Sequence, residues 1–139
     1  GFDRFEAFLT TAWNDGRPDT ITALGNLGKA YLAFARTETA YYSAMFEAGV
    51  PFDDHPELRQ ASDRAFAIVR TAAEALCGQI PQGKRPPAMM VALHIWSLSH
   101  GIASLFARGD PGRRSLPMAA EDLLEAGVLI YLDGLGIRE

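Results

Sequence analysis

From Pro86 to Ala107 the sequence runs 22 residues without a Lys, Arg, Asp or Glu, and this stretch constrains the fold more than any other. Its apolar residues fall on two helical stripes. Val91, Ile95, Leu98, Ile102 and Leu105 form one; Met89, Leu93, Trp96, His100 and Ala103 form the other. A helix that is apolar on two sides is buried on two sides. The length would also span a bilayer. Two histidines, three serines and a proline pair interrupt it, however, and such groups are expensive in hydrocarbon. The stretch therefore reads as a buried helix with no membrane partner. One stripe faces the chain's own core, and the other is left for a partner, a second copy of the same chain being the natural one.

The rest of the sequence repeats the helical period. Phe5, Phe8, Leu9 and Ala12 share one face of a segment over residues 2–14, which "DGRP" ends. Asp19 or Thr20 caps a second segment whose apolar positions include Ile21, Leu24, Leu27, Tyr31, Phe34 and Ala35. Gly25 and Gly28 weaken that segment locally and suit a close helix crossing. A short third segment over residues 39–49 carries Tyr41, Tyr42, Met45 and Phe46. A fourth spans about Pro56 to Leu76, with Gly78 placed as its C-cap. The fifth starts at Pro86-Pro87 and runs to Arg108, and a sixth covers about Met118 to Leu135, opening on Glu121, Asp122 and Glu125. With no strand pattern and no repeat, the chain is predicted to be a single all-α domain of six helices over residues 1–139.

Composition narrows the chemistry. The net charge of −4 leaves no basic excess for phosphates, so bulk nucleic-acid binding by these residues is not expected. Lys84, Arg85, Arg113 and Arg114 read as solvated loop charge. The single cysteine, Cys77, can form no internal disulfide and no thiolate zinc site; it reads as a small buried thiol in a reducing cytoplasm. The first residues, "GFDRFEAF", carry acids and aromatics where a secretory signal would be basic and then apolar. A chain beginning with Gly is expected to be processed or cut from something longer.

No catalytic or metal site emerges. His94 and His100 are six residues apart and point to roughly opposite sides of a helix, where paired ligands need spacings of three or four. His55 beside Asp53 and Asp54 reads as a helix-capping cluster. Ser97, Ser99 and Ser104 flank His100 without a nucleophile elbow. Trp96 and His100 share a face one turn apart, which fits either a core histidine bonded to a carbonyl or a polar donor in a cavity wall. The wealth of large side chains suggests a cavity for an apolar molecule. Its expected lining is Phe8, Trp13, Phe34, Tyr42, Met45, Phe66, Met89 and Leu93, closed by Trp96 and His100. No cofactor is expected.

With these residues in view the chain resembles the C-terminal regulatory domain of TetR-family transcriptional regulators. The resemblance lies in a Trp-x-x-x-His-Gly signature, here Trp96, His100 and Gly101, preceded by "LGNLGKAYLAFARTETAYYSAMFEAG" over Leu24 to Gly49. "GFDRFEAFLTTA" is similar to the helix that connects such domains to their DNA-binding half. The resemblance implies a homodimer whose last two long helices form a four-helix bundle with those of the partner. Here that interface would draw on Ile95, Leu98, Ile102, Leu105, Val128, Tyr131 and Leu132. It also implies a pocket for a small, often hydrophobic effector, and operator DNA bound only through an N-terminal helix-turn-helix domain that residues 1–139 do not supply. Two other readings remain at this point. One is a free-standing helical ligand-binding dimer without a DNA partner. The other is a small helical enzyme, for which only His100 and Arg70 stand out.

Overall fold

The computed structural model describes residues 2–37, 56–107 and 117–137. The helix predicted over residues 39–49, with Tyr42 and Met45, lies outside the described residues, as do His55 and the Arg108–Arg114 loop. Five α-helices are described: α1 (Phe2–Trp13), α2 (Thr20–Thr37), α3 (Pro56–Cys77), α4 (Ala88–Ala107) and α5 (Ala120–Gly134). There is no strand among the described residues. The protein is all-α.

Local chemistry sets the helix ends. A 3-10 turn at Asn14–Gly16 closes α1, with Asn14, Asp15 and Gly16 all at positive φ. Asp19 then caps α2: its carboxylate accepts the Thr22 backbone N–H at 2.8 Å and the Thr22 hydroxyl at 2.9 Å. Those bonds hold the Asp19 carboxyl below its ordinary value. The end of α3 differs from the expectation. Gly78 is not left-handed, and its N–H continues the helical pattern to Glu74 O at 3.0 Å. The Arg85 guanidinium finishes the turn instead, donating to Ile80 O at 2.7 Å and Gly78 O at 3.1 Å. Pro87 lies just outside α4 and accepts from the Met90 and Val91 N–H groups. The C-terminus of α5 forms a Schellman turn: Ile137 N–H reaches Leu132 O at 2.9 Å, Gly136 N–H reaches Asp133 O, and Gly136 sits at φ 86°.

α1 lies against α2 and α3, α4 fills the groove between α2 and α3, and α5 crosses α2 and α4. Phe5, Leu9, Phe34, Leu76 and Val91 are fully enclosed in the shared core. An Arg64–Glu6 ion pair at 3.0 Å ties α3 to α1 at the surface. α5 approaches its neighbours closely at two glycines. A Cβ at Gly28 would stand 3.0 Å from Leu124 Cδ2, and one at Gly127 would stand 3.1 Å from Leu98 Cδ2. The close crossing expected of the α2 glycines is therefore made by Gly28.

α4 is long and apolar enough to cross a membrane, and a third of that span is buried against the rest of the chain. Its outward polar groups, His94 and Ser97, sit mid-helix.

Candidate functional site

At the centre of the domain lies an aromatic cluster. The Trp96 ring meets Tyr31, Phe66 and Phe5 edge-on, at centroid distances of 5.3, 5.5 and 6.4 Å. Phe5 in turn packs on Phe34 at 4.6 Å. These rings come from four helices, one each from α1, α3 and α4 and two, Tyr31 and Phe34, spaced about a turn apart on α2. His100, a turn beyond Trp96, brings Nδ1 to 3.5 Å from the Tyr31 hydroxyl, a long contact. The buried Ser99 hydroxyl donates to Ile95 O of its own helix at 2.8 Å. That internal bond satisfies its proton, and its lone pairs remain available.

Beside the cluster, between α2, α4 and α5, is a cavity of about 190 Å³. Leu27, Tyr31, Ile95, Trp96, Leu124 and Val128 form its apolar walls, with Leu9 and Val69 behind them. Ser99 is the buried polar residue in that lining. Thr22, Asn26, Lys29, Glu121 and Glu125 surround the mouth. Arg36 on α2 forms an ion pair with Glu121 on α5 across this side. That hydrogen bond, more than any other cause, holds the Glu121 carboxyl below its ordinary value. An apolar hollow with few polar groups is suited to binding a small organic molecule. The charged residues of its lining sit at the mouth, and Arg70 pairs with Glu74 on the exposed side of α3 at 3.3 Å. Among the described residues no three His, Cys, Asp or Glu side chains gather as a metal site.

A family model of tetracyclin repressor-like C-terminal domains matches residues 24–130. This chain belongs to that family. No curated protein and no solved structure matches it. The matched residues of this TetR-like domain hold most of the cavity lining, together with Trp96, His100 and Gly101.

The residues nominated from sequence for a ligand are dispersed in the TetR-like domain. Trp96 lines the cavity, and His100 stands behind it against Tyr31. Phe34 and Trp13 are buried in the core, and half-buried Phe66 supports Trp96. Phe8, Met89 and Leu93 lie on the surface, Leu93 48% exposed. Tyr42 and Met45 lie outside the described residues. Size and helical face pointed to these residues, and large side chains on an inward face also serve simply to fill the core. The cavity is shaped as much by glycine as by rings: Gly25 and Gly28 both line it. The glycine pair on α2 is the sequence trace of the cavity, although the same pair equally suits a close helix crossing.

The stripes of α4 also need correction. Ile95 and Ile102, nominated for self-association, are buried at 6% and 5% exposure in the chain's own core, as is Leu132 of α5. Ile95 and Ile102 belong to the core where α4 meets α2 and α3, and Leu132 to the core where α5 meets α2 and α4. Leu98, Val128 and Tyr131 are half-buried between α4 and α5, and Leu105 is exposed. The outward surface is instead carried by Met90, Leu93 and Leu105 of α4 with Leu129 and Ile130 of α5, Ile130 being 73% exposed. His94 and Tyr131 tie the two helices together at its edge: His94 Nδ1 lies 2.7 Å from the Tyr131 hydroxyl, with the rings edge-on at 5.3 Å. Burial pushes the Tyr131 phenol above its ordinary value.

Proposed function

We propose that the chain is the effector-sensing and dimerisation domain of a ligand-responsive transcriptional regulator working in the cytoplasm, a repressor released from DNA by a small, largely apolar molecule. The observation that carries this reading is the cavity between α2, α4 and α5, walled by Leu27, Ile95, Trp96, Leu124 and Val128. Family membership supports the regulatory role. The outward apolar face of α4 and α5 is the proposed self-association surface, because exposed Leu, Met and Ile clustered on two adjacent helices favour burial against a like surface. Leu105 belongs to it as nominated, with Met90, Leu93, Leu129 and Ile130 added; Leu98, Val128 and Tyr131 support it from beneath.

The effector occupies the cavity and favours one arrangement of the helices. Operator DNA is read by a helix-turn-helix domain outside these residues. Ligand and DNA then compete through two states of the dimer, each binding one state better.

The first test is a thermal melt of the chain with and without saturating indole. Ligand at about 100 times its Kd adds roughly 2.7 kcal/mol to stability, so a bound molecule raises Tm. An unchanged Tm with indole and with other compact apolar compounds refutes the sensing role. The DNA role is tested by the reading frame upstream of Gly1. A basic three-helix module there supports it, and a start codon in its place refutes it.

A further inference from the structure

Two glycines interrupt α2 on the face that meets the cavity, and the structure accounts for only one of them by packing. Gly28 lies so near Leu124 that a Cβ would stand 3.0 Å from its Cδ2. Gly25, one turn earlier on the same face, has nothing within 4 Å of the Cβ it lacks. It lies at negative φ inside a regular helix, so no left-handed backbone requires it. Any good helix former at this position would strengthen α2. A side chain there would meet open space, and Gly25 is one of the residues that line the cavity. Glycine in such a place lets a ligand approach the backbone closely.

We infer that Gly25 sets the size of the molecule this cavity accepts, and that the ligand class is a compact, one- or two-ring apolar compound lying against the bare α2 backbone. A dry apolar cavity near 150 Å³ holds benzene. At about 190 Å³, with the Gly25 wall empty, this one has room for a somewhat larger ring system. Trp96 and Tyr31 supply ring faces and edges, and the Ser99 oxygen accepts a single hydrogen bond from the ligand. Leu124 bounds the space opposite α2 and has no slack toward Gly28. The adjustable wall is therefore Gly25. This inference rests on the effector reading above.

The experiment titrates benzene, indole and 1-aminoanthracene onto the 139-residue chain and its Gly25→Ala and Gly25→Leu variants by calorimetry, with a thermal melt of each protein alone. The native chain is expected to bind indole. Gly25→Ala should raise Tm by about 3 °C, since alanine strengthens the helix, while indole affinity falls about tenfold and benzene affinity changes little. Gly25→Leu should bind none of the three. Stability rising as affinity falls is the signature, since a residue needed only for folding moves both in the same direction. If Gly25→Leu does not fold, the Gly25→Ala size ranking decides alone. Native-like indole affinity in Gly25→Ala, or a fall in Tm alongside the loss of binding, overturns the role of Gly25 while leaving the sensing reading intact. If the native chain binds none of the probes, both fall together.

Discussion

Trp96→Ala removes the ring on which four helices converge, and its effect follows from the contacts. Three edge-on aromatic pairs are lost, to Tyr31, Phe66 and Phe5. Such pairs contribute about 0.5–1.5 kcal/mol each beyond the area they bury. Truncating a large core aromatic to alanine costs roughly 3–5 kcal/mol in all, including the void left behind. Trp96 is half-buried and one side of it already borders a cavity, so part of that void exists before the substitution. The lower end, about 3 kcal/mol, is the expected loss. For a chain of this length that corresponds to a Tm lower by about 12 °C. Urea denaturation followed by circular dichroism measures the change, with Trp96→Phe as a control expected to lose about half as much. Since Trp13 is the other tryptophan, the variant also keeps a single buried fluorophore as an independent probe. A loss below about 1 kcal/mol at unchanged m-value would refute the reasoning, because the ring would then not be joining the helices.

Other expectations follow from the same geometry. Leu93→Glu should leave the fold intact and shift the chain toward monomer in analytical ultracentrifugation, whereas Ile102→Glu should unfold it by burying a charge; equal behaviour of the two would contradict the assignment of the α4 faces. Glu121→Gln should cost under about 1 kcal/mol at pH 7, since both partners of the Arg36 pair are partly exposed. The folded Glu121 carboxyl titrates below its ordinary 4.5, so the pair's contribution is full above that value and is lost as pH falls through the folded one. The variant's stability should therefore fall less between pH 5 and pH 3 in denaturant melts (the window follows from the lowered carboxyl value). Gly136→Ala should destabilise by about 1 kcal/mol, because alanine at φ 86° is strained, and a gain in Tm would count against that turn.

Four of the five described helices were legible because they carry their own punctuation: DGRP after α1, Asp19 before α2, the proline pair before α4 and the acids opening α5. Their ends differ by a residue or two from the punctuation, and at the end of α3 the carbonyls of Gly78 and Ile80 are taken up by the Arg85 side chain. Which stripe of α4 faces inward was not legible. Val91 and Ile95 on one side, Met89 and Leu93 on the other, are equally apolar, and the choice is made by where α2 and α3 lie. The cavity was only half legible. Trp96 could be named from its face, but an empty space bounded by three helices is written partly in absent side chains. Gly25 carries no apolar signal to detect.

Leu124 holds two positions at once, wall of the hollow on one side and stop against Gly28 on the other. Its side chain has no free travel toward α2 at Gly28. The Gly127–Leu98 contact engages α5 from the α4 side, and Ile130 rides on its far surface. The hollow of about 190 Å³ and the outermost apolar face are thus carried by one helix, held against its neighbours by two leucines that fill the place of two missing methyl groups.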